Sequence, residues 1–134
     1  MDGTSYIAPA VKQTEEHDLT TPRGRLLYLR DVVVPGIPEA ELRMEVTDCG
    51  TAACMGGWAA RNAAFRYLGI GRNRARGFSS IGWDEFFGLT DKQGVHLFII
   101  HSYPGCQSRG EVLRQPTHAE LTAHINDVLE GRIP

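Results

Sequence analysis

Cysteine is scarce in this sequence: three in 134 residues, an odd count with no dense pairing pattern. That argues against a disulfide-stapled secreted scaffold and for a reduced, cytoplasmic setting. No apolar run approaches the roughly 20 residues that span a bilayer, so no membrane partner is expected. The N-terminal segment has no apolar core and carries Asp2, Glu15, Glu16 and Asp18, which does not suit a signal peptide. An excess of positive charge is also missing. With 14 Lys and Arg against 16 Asp and Glu, the net charge is -2, unlike that of a general polyanion binder. There is no internal repeat and no low-complexity stretch. What remains is an ordinary globular composition, 42% apolar and 22% charged, of a size that suits one domain with a single core.

The charge is unevenly spread. Residues 49–83 contain no acid, yet hold Arg61, Arg66, Arg72, Arg74 and Arg76. The segment Gly69-Ile70-Gly71-Arg72-Asn73-Arg74-Ala75-Arg76-Gly77 reads as an exposed basic loop. It is either a solvated loop or a contact for phosphate, nucleic acid or an acidic protein, since the guanidinium fork suits such groups. Its glycines fit neither a dinucleotide nor a P-loop fingerprint.

Helix signals recur along the chain. Residues 1–19 lack periodicity and read as an irregular, extended arm. Thr21-Pro22 predicts an N-cap followed by proline in the first helical turn, with Leu26, Leu29 and Val33 on one face and Pro35-Gly36 as the stop. A second helix is expected from Asp48 or Thr51 to Leu68, closed by Gly69. Its apolar face would hold Cys54, Trp58, Phe65 and Leu68, beside a stripe of Ala52, Gly56, Ala60 and Ala63. Gly56-Gly57 inside a helix costs about 1 kcal/mol per glycine, so tight packing or a ligand should offset it. Ser79 or Ser80 would cap a short helix bearing Trp83, Phe86 and Phe87, with Asp84 and Glu85 in its first turn. Thr90 to Gln93 and Thr117 to Glu120 are capping boxes. The first precedes residues 95–100, read as helix, with a buried strand as the competing assignment. Residues 102–116 read as loop. The last helix buries Leu121, Ile125, Val128 and Leu129, and its two histidines, His118 and His124, are expected in solvent.

The pattern predicts a mainly α fold, a compact bundle of about five short helices around a central helix rich in small residues. Residues 20–134 would form a single helical domain behind the arm.

Two kinds of chemistry are worth weighing at the cysteines. A thiol at a helix N-terminus is acidified by the helix dipole, which would make Cys49 a nucleophile with His96 or His101 as its base. Metal binding would need Cys49, Cys54, Cys106 and His101 to converge, because the cysteine pair and the histidine pair are each five apart and match no zinc spacing. Packing is the third option, and it suits Cys54 on the apolar face. No cofactor or metal is expected.

Two resemblances bear on these options. Asp48-Cys49-Gly50-Thr51-Ala52, with His96 opening a hydrophobic run, resembles the papain-fold peptidases that remove double-glycine leaders from bacteriocins. That likeness implies an amide or thioester hydrolase. The chain departs from it where Arg43 falls near the family's glutamine, and in a shorter gap from cysteine to histidine. Cys49-Gly50-Thr51-x-x-Cys54-x-x-Gly57-Trp58-Ala59 is similar to a motif of small uncharacterised proteins of phages, prophages and bacteria. Phe87-Gly88-Leu89-Thr90 with Gln93 and Leu97-Phe98 resembles their second block, and Pro116-Thr117 the start of their last helix. The likeness spans residues 45–131 and implies a family without a reaction.

The expected function is therefore a non-enzymatic binding protein, an accessory factor of a phage or mobile element acting in host takeover or anti-defence. It would dock on a protein partner through Arg72, Arg74 and Arg76, with nucleic acid as the less favoured partner for those arginines. The alternative is the cysteine hydrolase using Cys49 with His96 or His101.

Overall fold

Thr21 caps the first helix as its sequence predicts: the Thr21 hydroxyl oxygen accepts from the Gly24 N–H, and Pro22 takes the first helical position. In the computed structural model, which describes residues 17–45, 53–70 and 80–134, this helix is α1 (Pro22–Tyr28). It widens into a π-helical turn over Leu29–Val33 and tightens to a 3-10 turn over Val34–Gly36. Pro35 has no N–H to continue an α-helix, which explains the stop. Leu26, Leu29 and Val33 are buried, as their spacing requires. The arm up to residue 16, the Asp48 and Thr51 caps, and Ser79 lie outside the described residues. His17 already belongs to the folded part, with its ring edge-on to Tyr28 and bonded to Asp31.

The long second helix of the sequence reading is two helices. Ala53 is extended and forms a parallel bridge with Leu42, so no helix can run through it. Cys54 is the N-cap of α2 (Met55–Arg61), its sulfur accepting from the Gly57 N–H at 3.4 Å. Asn62 then turns extended, with ψ at 129°, and caps α3 (Ala63–Leu68) through its side-chain oxygen. Asparagine competes for backbone N–H groups better than it propagates a helix, which explains the break. The break also ends the small-residue stripe: Ala60 is buried and Ala63 is exposed. Gly69, with φ at 95°, closes α3 as expected.

The Gly56 question is settled by packing. A Cβ there would lie 2.6 Å from the Trp83 indole. The bare backbone makes room for that ring, which also tilts against Phe98. Trp58, expected in the core, is only half-buried: its indole N–H donates to the Glu41 carbonyl and Arg61 lies over its ring.

Trp83 belongs to α4 (Ser80–Phe87), and α5 (Asp91–Phe98) follows directly. The predicted capping box holds: the Thr90 hydroxyl accepts from the Gln93 N–H and the Gln93 side chain accepts from the Thr90 N–H. Residues 95–98 are therefore helix. Ile99 is extended, and Ile100–Ser102 form a 3-10 turn. The span read as loop contains a small antiparallel hairpin of β1 (Gln107–Ser108) and β2 (Glu111–Val112). Strands of two residues carry no periodicity to read, although Gly110 marks the turn, where both Arg109 and Gly110 have positive φ. The Thr117–Glu120 box opens α6 (His118–Leu129), again as predicted. The protein is thus mainly helical, with six α-helices among the described residues. None of the described helices is long and apolar enough to cross a membrane.

Asp84 and Glu85 lie past the first turn of α4, so the dipole role expected for them does not apply. Asp84 is pressed against α5, where a Cβ at Gly94 would meet its carboxylate oxygen at 2.1 Å. That oxygen has no hydrogen-bond partner among the described residues. Burial, with Asp91 nearby, pushes its carboxyl up to about 6. A raised carboxyl favours the fold below the unfolded value near 4 and loses that contribution as pH rises through about 6. Asp84→Asn should therefore stabilise at neutral pH, by less than about 1 kcal/mol because the group is partly solvated. The gain in urea midpoint over the parent chain should appear near pH 7 and vanish below about pH 4, where the Asp84 carboxyl is protonated in both states. A midpoint lowered at both would show that the charge is not the cause.

Candidate functional site

A group of polar, titratable side chains gathers where α5, α6 and the segment after α5 meet. Three rings form one stack. His124 lies at its centre, 3.8 Å from the Tyr103 ring and 4.0 Å from the His96 ring, with interplanar angles of 12° and 10°. As a polar residue of a terminal helix, His124 is expected in solvent. It is only 8% exposed. Leu121, His124, Ile125 and Val128 are the buried positions of α6. Their spacing is that of one helical face, so the period held the signal and the polarity of histidine hid it.

Hydrogen bonds fix each ring. His96 Nε2 bonds Asp127 Oδ2 at 2.9 Å; a carboxylate only accepts, so this nitrogen carries the proton. His124 Nδ1 donates, by the same logic, to the His96 carbonyl at 2.8 Å. The Ser102 hydroxyl donates to that carbonyl too, and the Tyr103 hydroxyl to the Leu97 carbonyl at 2.7 Å. Asp127 also receives Arg132, and with His96 these donors hold its carboxyl low despite partial burial. Burial, helped by repulsion from the His96 ring, pushes His124 below the ordinary imidazole value, although the bond to the His96 carbonyl and the charges of Asp127 and Glu120 favour its proton.

The predicted site residues separate. His96 is in the stack with a carboxylate partner, which is how a general base is held. His101 is exposed on the 3-10 turn. Cys54 and Cys106 are buried, and burial pushes the Cys106 thiol up, which disfavours a reactive thiolate. His118 is half-buried, not solvated, and its Nε2 has no hydrogen-bond partner among the described residues. Among the described residues, no three His, Cys, Asp or Glu side chains stand together as a metal site would require. Cys49, Arg72, Arg74 and Arg76 lie outside the described residues.

Among the exposed large apolar side chains described, Tyr67 stands furthest into solvent. Tyr67 on α3 is 87% exposed, beside the exposed Arg66 and immediately before the basic segment. Tyr67 belongs to none of the sequence motifs. An aromatic residue standing off an otherwise apolar helix face would have marked it. No protein family, curated protein or solved structure matches this chain.

Proposed function

We propose that this chain is a non-enzymatic binding protein, a mobile-element accessory factor that docks on an acidic protein surface. Its contact would be the end of α3 together with Arg72, Arg74 and Arg76. The observation that carries this reading is Tyr67. Its ring is almost wholly in water, although tyrosine and arginine are the residue types that most often dominate binding energy at protein interfaces. Residues 49–83, which flank Tyr67 in the sequence, contain no acid and five arginines. The buried state of Cys54 and Cys106 removes two of the three thiols from consideration as nucleophiles.

Capture from nuclease-treated lysate with the tagged full chain tests this, followed by titration of the recovered partner. Tyr67→Ala and the joint replacement of Arg72, Arg74 and Arg76 by Ala should each weaken binding by about 30-fold, the effect of a hot-spot residue. Cys49→Ala and His101→Ala should change nothing. Recovery that survives the arginine and tyrosine changes sinks the reading, and loss of function in Cys49→Ala alone would favour the hydrolase.

A further inference from the structure

We propose that the Tyr103–His124–His96 stack is an acid-sensitive joint, in which protonation of His124 opens the contact between α5 and α6 and loosens residues 99–106. The geometry is closed on both faces of the central ring, and the ring is almost wholly removed from water. A proton added at His124 Nε2 therefore puts a charge in a poorly solvated place, 4.0 Å from a second imidazole. The Tyr103 face favours a cation, and the His96 carbonyl already receives the Nδ1–H in either state. Burial opposes the proton more strongly than these favour it, and the direction of the His124 shift agrees.

The acids nearby are engaged elsewhere. On α6, Asp127 is held by His96 and Arg132, and Glu120 by Arg114 and the Thr117 N–H. Neither is hydrogen-bonded to His124. From the other elements packed on α6, Arg30 reaches Asn126 and Arg23 reaches the Leu129 carbonyl. The Tyr103 hydroxyl and the Cys106 thiol are both pushed up by burial and stay neutral. Asp127 and Glu120 favour a proton on His124 only through space, burial outweighs them, and the ring regains solvation by leaving the stack. The joint would carry that opening into the hairpin, because the backbone of Leu113 and Tyr103 is tied to Cys106.

The sign follows from linkage. His124 is depressed in the fold, so the unfolded or opened chain binds the extra proton. The stack's contribution is whole above the free imidazole value near 6.5 and declines as pH falls below it. Asp127 acts in the same direction but in the carboxylate range, at more acidic pH.

Amide hydrogen exchange on the full chain, corrected for intrinsic chemistry, tests the joint at about pH 7.5 and about pH 5. Residues 97–106 and 121–128 should lose protection at the lower pH, while residues 26–34 keep theirs. His124→Phe keeps a flat ring without a titrating group and should lose the difference. An equal acid response in that variant, or none in the parent chain, overturns the proposal. Histidine side-chain NMR of the parent chain serves if the variant does not fold. A His124 midpoint below the free value of about 6.5, moving together with the Tyr103 ring signals, supports the joint. A midpoint at or above that value overturns it.

Discussion

Phe65→Ala should cost about 3–5 kcal/mol, a large fraction of the roughly 5–15 kcal/mol that holds a domain of this size folded. Phe65 has no solvent exposure and sits at the crossing of three aromatic contacts. Tyr28 and Phe86 lie 5.1 Å from its ring and Phe87 lies 5.5 Å away, all edge to face. Those rings come from α1 and α4, while Phe65 is on α3, so one side chain ties three elements. Truncation removes the transfer energy of a buried phenyl ring, and the neighbours cannot close the void without giving up their own edge contacts. Urea unfolding followed by circular dichroism measures the loss. Tyr67→Ala on the same helix should stay within about 0.5 kcal/mol, because its ring contacts solvent. A Phe65→Ala loss below about 1 kcal/mol would show that the aromatic cluster does not organise the core.

Gly24→Ala is expected to cost about 3 kcal/mol, although alanine is the better helix former. A Cβ at residue 24 would stand 1.9 Å from the Asp18 carbonyl oxygen and 2.6 Å from its carbon. The obstacle is backbone, and that backbone is held in place. The Asp18 oxygen accepts from the Thr21 N–H and hydroxyl, and the Leu19 carbonyl accepts from Arg25. Residues 18–20 would have to lift off α1, breaking the cap that starts it. Gly36→Ala is the matched control: nothing lies within 4 Å of its Cβ position, and φ there is not in the left-handed region. It should be neutral or stabilise by up to about 1 kcal/mol. Thermal unfolding of both variants checks the contrast. Equal effects at the two glycines would mean that the segment before α1 gives way freely.

Short-range features were readable without coordinates. The Thr90–Gln93 and Thr117–Glu120 boxes, the Thr21-Pro22 start and the Gly69 stop all depend on residues within one turn, and each appears as the spacing implies. The buried face of α1 followed from period, as did Leu121, Ile125 and Val128 on α6, whereas Leu129 is only partly buried and His124 joins that face instead. The break at Asn62 was legible in principle, because asparagine is a strong cap; it was masked by the apolar residues continuing past it. Gly24 and Gly56 show the limit of local reasoning. Gly56 is required by the Trp83 indole of another element, which no window around it contains, and Gly24 by the Asp18 carbonyl, a few residues back but brought close only by the turn before α1.

The candidate site divides in the same way. Its arginines were visible as composition, and Tyr67 as a residue type, but exposure is a property of the folded surface. His124 carries the lesson furthest. Its position on the α6 face was set by helical period, which the order of residues determines. Whether that position holds a solvated imidazole or a ring closed between two others was decided by α5 and Tyr103 packing over it. Local hydrogen bonds and periodicity are encoded in neighbouring residues. Burial, and with it the proton affinity of a side chain, arises only when distant segments meet and water is excluded.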